Sequence, residues 1–397
     1  MTLSLCMIVK DEERTLSRCL QSVQGVVDQM VVVDTGSCDR TPQIAQSHGA
    51  EVYTFAWCDD FAAARNAALQ YVTGDWVLVL DADETLVPDI ISQLKQAIQQ
   101  PDVLVINLLR QEVGAKQSPY TLMSRLFRNH PKIKFHCPYH ELIDDSVVAL
   151  QAQEQHWKIG CLEPVAILHE GYTAERIDQQ QKTQRAQRIM EQALANEPDD
   201  AYLCSKLGAL YVENHQLDKG MALLRCGLNL QPPEPAVIYE LHYHLGHVYE
   251  SLGERSKAQE QYQQALAIDL PLLLKIGACN NLANLLQIQG DLEGARQLYT
   301  SMIVAQPTLA IAHNNLGLTL RAMGYFGDAI ASYQQAICHQ PSYAEAHQNL
   351  GVALLKIGQI DASQRAFQQA IKLHEDAQNF TEANRLRQTL EGLGLMA

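Results

Sequence analysis

Three carboxylates lie within four residues directly after an apolar run, and no other stretch of the chain is better suited to chemistry. The run from Trp76 to Leu80 has the unbroken hydrophobicity of a strand buried on both faces. Strand alternation would place Asp81 and Asp83 on one side, at the carboxyl end of the strand, where open α/β sheets bind ligands. Because two carboxylates held so close repel each other, we expect a divalent cation, or a sugar hydroxyl or ribose, to bind there. The alternative is that these acids cap the turn into the next helix, which Pro88 helps to start.

Composition limits the classes of partner and the redox environment. A chain of 397 residues predicts two or more domains, and a net charge of −15 argues against nucleic acid or an anionic membrane as the partner. The ten cysteines are never closer than thirteen residues, which predicts small apolar core residues in a reducing compartment rather than disulfides or a zinc site. The chain shows neither a basic leader before its first apolar run nor a run of membrane-spanning length, so we expect a cytoplasmic protein without a transmembrane segment.

Strand-length apolar runs alternate with amphipathic segments through the first half of the chain. The predicted strands cover 3–9, 30–33, 51–56, 76–80 and 102–108, followed by shorter ones at 120–128, 133–135 and 165–168. Predicted helices lie between them, the clearest at 61–72 and 88–99. This order predicts an α/β domain with a mostly parallel, doubly wound sheet. Dinucleotide dehydrogenases and P-loop ATPases are poor candidates, because neither glycine-rich phosphate motif is present.

Polar residues follow the first strands of this predicted sheet. Lys10 and Glu12 come after strand one, Asp34 comes after strand two, and Arg65 lies in the helix before the acidic strand. Each has a local alternative as a solvated helix start or an exposed helix face. Because they cluster at one edge of one sheet, together they favour a site for a polyanionic nucleotide.

Four motifs in this region resemble, in order and spacing, those of the family 2 glycosyltransferases of the GT-A fold. The motifs are Leu5–Glu13, Val33–Thr41, Ala64–Asn66 and Leu80–Glu84, and the resemblance covers roughly the first 170 residues. It implies transfer of a sugar, with inversion, from a nucleotide diphosphate sugar.

The resemblance also assigns roles in donor binding. The loop after strand one and the end of strand two would hold the base and ribose, through Val9, Lys10, Glu12 and Asp34. Arg65 would approach the diphosphate, Asp81 the ribose or sugar, and Asp83 a Mn²⁺ or Mg²⁺ ion bound to the diphosphate. The base would be uracil, although Thr35 stands where the family often has a second aspartate.

Two later segments supply the remaining candidates. Residues 124–129 and 135–141 resemble the Arg-x-Phe-Arg-Asn … His-Glu block of a subgroup of these enzymes, with Cys137 where glycine is usual, and this places Glu141 as the catalytic base. Residues 167–172 resemble the late His-x-Gly-Tyr element, in which His169 would complete the metal shell. The alternatives are a surface ion pair for Glu141 and a structural role for His169.

The second half of the chain repeats itself. Leu-Gly or Leu-Ala pairs recur from Leu207 at intervals of 38, 37, 34 and 34 residues, and prolines follow four of them by 25 or 26 residues. An alanine comes twelve residues, and an aromatic sixteen residues, after the small residue of most copies, the aromatics being Tyr262, Tyr299, Tyr333 and Phe367. This resembles the tetratricopeptide repeat, in which small residues let paired helices approach and aromatics fill the space between them.

These patterns divide the chain into four parts. We predict a GT-A domain at 1–172, a linking helix at 173–197, an all-α solenoid of five repeats at 198–375 and a capping helix at 376–397. The groove of such an array would recruit a protein or peptide acceptor or a partner, or mediate homo-oligomerisation.

The leading hypothesis is a metal-dependent inverting glycosyltransferase that acts on a protein or peptide acceptor, with a lipid or oligosaccharide acceptor as a variant of the same hypothesis. One rival is a non-catalytic scaffold on a degenerate transferase fold. Another is a nucleotidyltransferase, which has a related sheet and metal site but a basic, glycine-rich loop after strand one that this chain lacks.

Overall fold

The computed structural model describes residues 1–115, 119–170, 176–230 and 234–394, so the predicted boundary at residues 172 and 173 lies outside the described residues. The chain divides into two compact units, Met1–Pro233 and Glu234–Ala397. In the described part of the chain, no helix is both long and apolar enough to span a membrane.

The first unit is built on a mixed sheet of eight strands. In chain order these are β1 Leu3–Val9, β2 Gln29–Asp34, β3 Glu51–Thr54, β4 Trp76–Val79, β5 Glu84–Leu86, β6 Val103–Glu112, β7 Tyr120–Arg128 and β8 Lys158–His169. Their order across the sheet is β3-β2-β1-β4-β7-β6-β8-β5. The strands with the longest apolar runs, β1, β2 and β4, are the most deeply buried, as expected for strands covered on both faces.

The doubly wound α/β class is confirmed, with an antiparallel part beside the parallel one. Strands β1, β2, β3 and β4 pair in parallel, and β6 pairs in parallel with β8. Strand β7 runs antiparallel to both β4 and β6, and β5 runs antiparallel to β8. The predicted strand at 133–135 is wrong: this segment leads into a single bridge between His136 and Leu142.

Besides a 3₁₀ helix at Pro88–Ile90, eight α-helices complete the described part of the first unit. They are α1 Leu16–Val23, α2 Thr41–Ser47, α3 Phe61–Leu69, α4 Ile91–Ala97, α5 Asp144–Gln153, α6 Arg176–Asn196, α7 Ala201–Glu213 and α8 Leu217–Asn229. Helix α1 buries its apolar face completely against the sheet, as its spacing predicts. Helix α3, which carries Arg65, begins at a cap in which the carboxylate of Asp60 accepts from the amide of Ala63.

The second unit is a series of helix pairs. Its helices are α9 Pro235–Ser251, α10 Arg255–Ala267, α11 Ile276–Gln289, α12 Leu292–Ala305, α13 Ala310–Ala322, α14 Phe326–His339, α15 Ala344–Lys356, α16 Ile360–Asp376 and α17 Phe380–Gly392. The predicted pairing of small residues with aromatics is present. A Cβ added at Gly246 would lie 2.3 Å from the ring of Tyr262, and one at Gly317 would lie 2.6 Å from the ring of Tyr333.

Neighbouring repeats are also joined by polar contacts. The side-chain amide of Asn315 donates to Asn280 at 2.9 Å, and that of Asn349 donates to Asn314 at 3.0 Å. At the carboxyl end of the array, helix α17 packs Leu386 against the apolar face of α16. The repeat solenoid predicted from the sequence is therefore confirmed, and its last described helix covers the face of the preceding one.

Candidate active site

Asp81 lies in the turn between β4 and β5 and is held by two arginines. Because β4 ends at Val79, this turn places the carboxylates, and strand alternation does not. Arg65 bonds to Oδ1 of Asp81, and Nη2 of Arg125 lies 3.3 Å from Oδ2. Burial alone would raise the pKa of Asp81, but Arg125 and Arg65 outweigh it and hold that pKa below its ordinary value. The side chain is nevertheless 35% exposed, so it remains open to a ligand.

Arg65 joins Asp81 to Glu141. Its guanidinium, on helix α3, is only 2% exposed, and its Nε donates to Oε1 of Glu141 at 3.0 Å. Burial opposes the charge of Arg65, but Asp81 and Glu141 raise its pKa above the ordinary value. Arg65, predicted to approach the diphosphate, therefore already bonds to two carboxylates of the chain itself, through Nε and Nη2. The predicted roles of Arg65 and Glu141 stay predictions.

Asp83 and His169 meet although they are 86 residues apart in sequence. Nε2 of His169 lies 3.1 Å from Oδ2 of Asp83, and its Nδ1 lies 2.5 Å from Oε2 of Glu112 on β6. The hydrogen bonds with Asp83 and then Glu112 raise the pKa of His169 to about 10. Among the described residues, no three histidine, cysteine or acidic side chains converge as a ready-made metal cage.

Glu84, the third acid of the motif, is structural. It is fully buried at the start of β5, where its carboxylate accepts from the backbone amide of Asp81 at 2.9 Å and from Arg110 at 3.0 Å. Burial, and then Asp81, raise the pKa of Glu84. Arg110 also reaches Glu112 at 2.6 Å. The hydrogen-bond network therefore runs from the turn after β4 to the end of β6.

The cluster contains more carboxylates than arginines. Three arginines face five carboxylates, namely Arg65, Arg110 and Arg125 with Asp81, Asp83, Glu84, Glu112 and Glu141. With every carboxylate ionised, two negative charges are in excess when His169 is neutral, and one when it is protonated, the form that its raised pKa favours. A divalent cation would neutralise that excess.

The residues predicted to hold the base and ribose lie at the ends of β1 and β2. The carboxylate of Asp34 is largely buried and accepts from the amides of Gly36 and Ser37 at 3.1–3.2 Å, which closes its own turn. Thr35 donates to the carbonyl of Val9, through its amide at 2.9 Å and its hydroxyl at 3.1 Å. The residue that replaces the second aspartate of the family therefore fastens β2 to β1.

The loop after β1 has a mixed character. Lys10 is exposed, whereas Glu12 is half-buried and accepts from the hydroxyl of Thr15 at 3.0 Å. The structure thus brings Asp81, Arg65 and Glu141 together at one end of a network, and Asp83 and His169 together at the other end, with Glu84, Arg110 and Glu112 between them. For Val9, Lys10, Glu12 and Asp34 it shows a position at the strand ends, and their roles stay predictions.

Sequence reasoning missed three residues of the site: Arg110, Glu112 and Arg125. Arg110 and Glu112 lie two residues apart near the end of β6, so strand alternation puts them on one face. Charged residues with this spacing at the end of an otherwise apolar strand are the signal that could have found them. Arg125 lay within a resembling block but carried no separate signal.

A mixed α/β sheet with an acidic and arginine cluster at its strand ends, followed by helix pairs, defines a transferase-like domain joined to a repeat array. The family model for glycosyl transferase family 2 matches residues 4–160. Models for tetratricopeptide repeats match residues 239–270, 276–301, 317–358 and 344–376. The chain is therefore a family 2 glycosyltransferase domain with tetratricopeptide repeats at its carboxyl side.

The chain is also similar to individual proteins. The chain is 46% identical to a TPR repeat-containing protein of Synechococcus elongatus over 304 residues, which are 77% of this chain and 75% of that protein. It is 25% identical over 225 residues to the SPbeta prophage-derived glycosyltransferase SunS of Bacillus subtilis, covering 55% of this chain and 50% of SunS. Among solved structures it is similar to YrrB, a TPR protein with an unusual peptide-binding site, at 17% identity and a TM-score of 0.39, covering 49% of this chain and 97% of YrrB.

Proposed function

We propose that this chain transfers a sugar, with inversion, from a UDP-linked donor to a protein or peptide acceptor that the repeats recruit, with Mn²⁺ or Mg²⁺ at Asp83 and His169. The observation that carries the proposal is the meeting of these two side chains, at 3.1 Å, next to the Asp81 network. A nucleotide-binding platform without catalysis would not require a carboxylate oxygen and an imidazole nitrogen to converge beside a second acidic group.

The ligand atoms available, a carboxylate oxygen of Asp83 and Nε2 of His169, fit a divalent ion that is also coordinated by a substrate. Mg²⁺ is commonly held by one or two protein groups together with phosphate oxygens, which agrees with the absence of a three-residue cage among the described residues. Glu112 bonds to Nδ1 of His169 and so turns Nε2 towards Asp83. When bound, the ion would supply charge neutralisation for the departing diphosphate.

Asp81, Arg65 and Arg125 supply contacts for the donor oxygens. Each oxygen of Asp81 bonds to one arginine, and the second lone pair of each is left for a sugar or ribose hydroxyl. Within the described part of the chain, Nη1 of Arg65 and Nη1 of Arg125 are buried without a hydrogen-bond partner. Unsatisfied buried donors cost about 1–3 kcal/mol each, so an oxygen of the donor that reached them would be stabilised.

Glu141 acts as the base. Arg65 bonds to Oε1, so Oε2 takes the proton of the acceptor group while that group bonds to the anomeric carbon. The bond from the anomeric carbon to the diphosphate oxygen breaks with its electron pair on the diphosphate. Attack from the face opposite the leaving group inverts the anomeric centre.

The first test is thermal protection of the intact chain by nucleotide sugars, with Mn²⁺ or with chelator. A ligand at a hundredfold excess over its Kd adds about 2.7 kcal/mol to stability. Asp83→Ala should lose the metal-dependent part of this protection, whereas Asp89→Ala, which removes an exposed carboxylate six residues later, should retain it. Protection by no nucleotide sugar, with or without metal, would favour the scaffold hypothesis.

The second test concerns the base. Glu141→Gln should retain donor binding and lose transfer, measured as UDP release and as the anomeric configuration of the product by NMR. Turnover near that of the wild type would refute the assignment of Glu141, and a retained configuration would refute inversion.

The third test concerns the repeats. A chain that ends at residue 233, the limit of the first compact unit, should still hydrolyse donor slowly but use the natural acceptor poorly. Acceptor kinetics equal to those of the full chain would show that the repeats serve another purpose.

A further inference from the structure

Residues 136–142, which carry Glu141, form a loop held in an unfavourable backbone conformation. The loop is closed by a reciprocal pair of backbone hydrogen bonds between His136 and Leu142, at 2.8 and 3.1 Å. Cys137 and His140 lie in the left-handed region, with φ of 66° and 57°. Non-glycine residues seldom adopt this conformation unless surrounding contacts impose it.

Helix α7 provides one of these contacts, at the peptide unit next to the predicted base. The hydroxyl of Tyr202 donates to the carbonyl of His140 at 3.1 Å. That carbonyl belongs to the peptide unit that joins His140 to Glu141, so α7 restrains the backbone directly before Glu141. On the other side of the loop, the amide of Phe61 at the start of α3 donates to the carbonyl of Pro138 at 2.9 Å.

The ring of Tyr139 gives the loop an apolar anchor. It packs against Ala186 and Met190 of α6 and Leu207 of α7, all three of which are buried. It also meets the ring of Phe61 edge-on, at 5.5 Å between centroids. Tyr139 is half-buried and thus contacts both the helices that follow the sheet domain and the helix that carries Arg65.

Helix α6 is fastened to the segment before α3 as well. Arg185 and Arg188 bond to the carboxylate of Asp59, at 3.2 and 2.7 Å, and Asp59 itself has a φ of 58°. The guanidinium of Arg185 lies 4.5 Å from the ring centroid of Trp57, and the indole of Trp57 donates to Asp59 at 2.8 Å. These contacts are partly exposed and contribute little to overall stability, so their effect is mainly on the position of the segment.

We propose that α6 and α7 hold the 136–142 loop in the geometry that places Glu141, so that Tyr202 and Arg185 are positioning residues for the base. The inference rests on the proposed function, in which Glu141 takes a proton. It makes the first helices after the sheet domain part of the transfer machinery, whereas the sequence pattern assigned them to a linker and to the first repeat.

The test compares Tyr202→Phe and Arg185→Gln with a matched control in the full-length chain. The control is Tyr53→Phe, which removes an exposed hydroxyl that donates to Glu51 at 2.9 Å on strand β3. Amide hydrogen exchange over residues 136–142 reports the loop directly, and UDP release from UDP-glucose and UDP-N-acetylglucosamine reports turnover.

We expect faster exchange of the loop amides in both variants and a kcat about 10- to 100-fold lower, with the Kd for UDP unchanged within about twofold, because small misplacements of a catalytic group are costly. Loop exchange equal to that of Tyr53→Phe would overturn the inference, as would a kcat equal to that of the control. A wild-type chain that releases no UDP would overturn the proposed function instead, and the exchange measurement would still decide whether the helices hold the loop.

Discussion

Replacement of Arg65 by methionine tests whether the two carboxylates at the site depend on one buried cation. Asp81 keeps Arg125 and is 35% exposed, so its charge remains largely compensated. The side chain of Glu141 is only 9% exposed, and its ion pair in the described part of the chain is with Arg65. Breaking a buried pair by removing one member costs about 3–5 kcal/mol, and the partial exposure of Asp81 favours the lower limit, about 3 kcal/mol. For a domain of this size, that corresponds to a decrease in Tm of about 6–12 °C.

Tryptophan fluorescence isolates this effect, because all three tryptophans, Trp57, Trp76 and Trp157, lie in the first unit. Urea unfolding followed by fluorescence therefore reports the unit that contains the site. Arg40→Met is the control, since Arg40 is 81% exposed and its contact with Glu13 is 3.4 Å long. A surface pair of that kind is worth about 0.5 kcal/mol or less.

The difference in unfolding free energy between the wild type and Arg65→Met should also depend on pH. The pKa of Asp81 is depressed by Arg125 and Arg65 in the folded state, so its contribution to stability is present above the unfolded pKa of about 4 and is lost as pH falls through the folded value. Arg65→Met moves the folded pKa of Asp81 back towards the unfolded one. The gap in unfolding free energy should therefore be constant from pH 7 to 5 and narrow below about pH 4. A loss no greater than that of Arg40→Met at pH 7 would refute the charge argument.

Two further substitutions test the metal site and the repeats. Glu112→Gln should weaken Mn²⁺ binding by about 10- to 100-fold, because His169 loses the carboxylate that orients it. Binding is measured by calorimetry in the presence of UDP, with Glu163→Gln, at an exposed position of β8, as the control that should not change it. Equal Mn²⁺ affinities of the two variants would contradict the role of Glu112. Gly246→Ala should destabilise the second unit by about 1–3 kcal/mol in thermal unfolding followed by circular dichroism, because the new Cβ would meet Tyr262 at 2.3 Å. Gly327→Ala is its control, since nothing lies within 4 Å of the new Cβ and a helical alanine is favoured; similar losses in both would refute the packing argument.

The sequence predicts those parts of the molecule whose signal is local. The buried strands β1, β2 and β4 follow from continuous apolar runs, and the helix pairs follow from small and aromatic residues at fixed spacing. In the repeats the spacing is itself the packing rule, because an aromatic sixteen residues after a glycine fills the space that the glycine leaves. Both regions could therefore be assigned without knowledge of long-range contacts.

Which partners surround each carboxylate could not be predicted, because those partners come from strands whose register is not a local property. Glu112 reaches His169 only because β6 and β8 pair in parallel with shifts in register near Leu108 and Leu109. Arg125 reaches Asp81 because β7 runs antiparallel beside β4. One residue of slip in either strand would turn these side chains to the other face of the sheet.

The two aspartates of the motif have different charged partners. Arg65 and Arg125 bond to Asp81, whereas His169 contacts Asp83. The guanidinium groups of Arg65 and Arg125 keep Asp81 ionised, so its carboxylate can accept hydrogen bonds without a metal ion beside it. Asp83 has no arginine partner among the described residues, and its contact is the imidazole of His169. A neutral imidazole is the form of histidine that binds metals, which agrees with the metal site that we propose. In the proposed function, the two acids of one motif are thereby separated into an oxygen acceptor and a metal ligand. Because both residues are aspartates, the difference between their proposed roles comes from the strands that lie beside them.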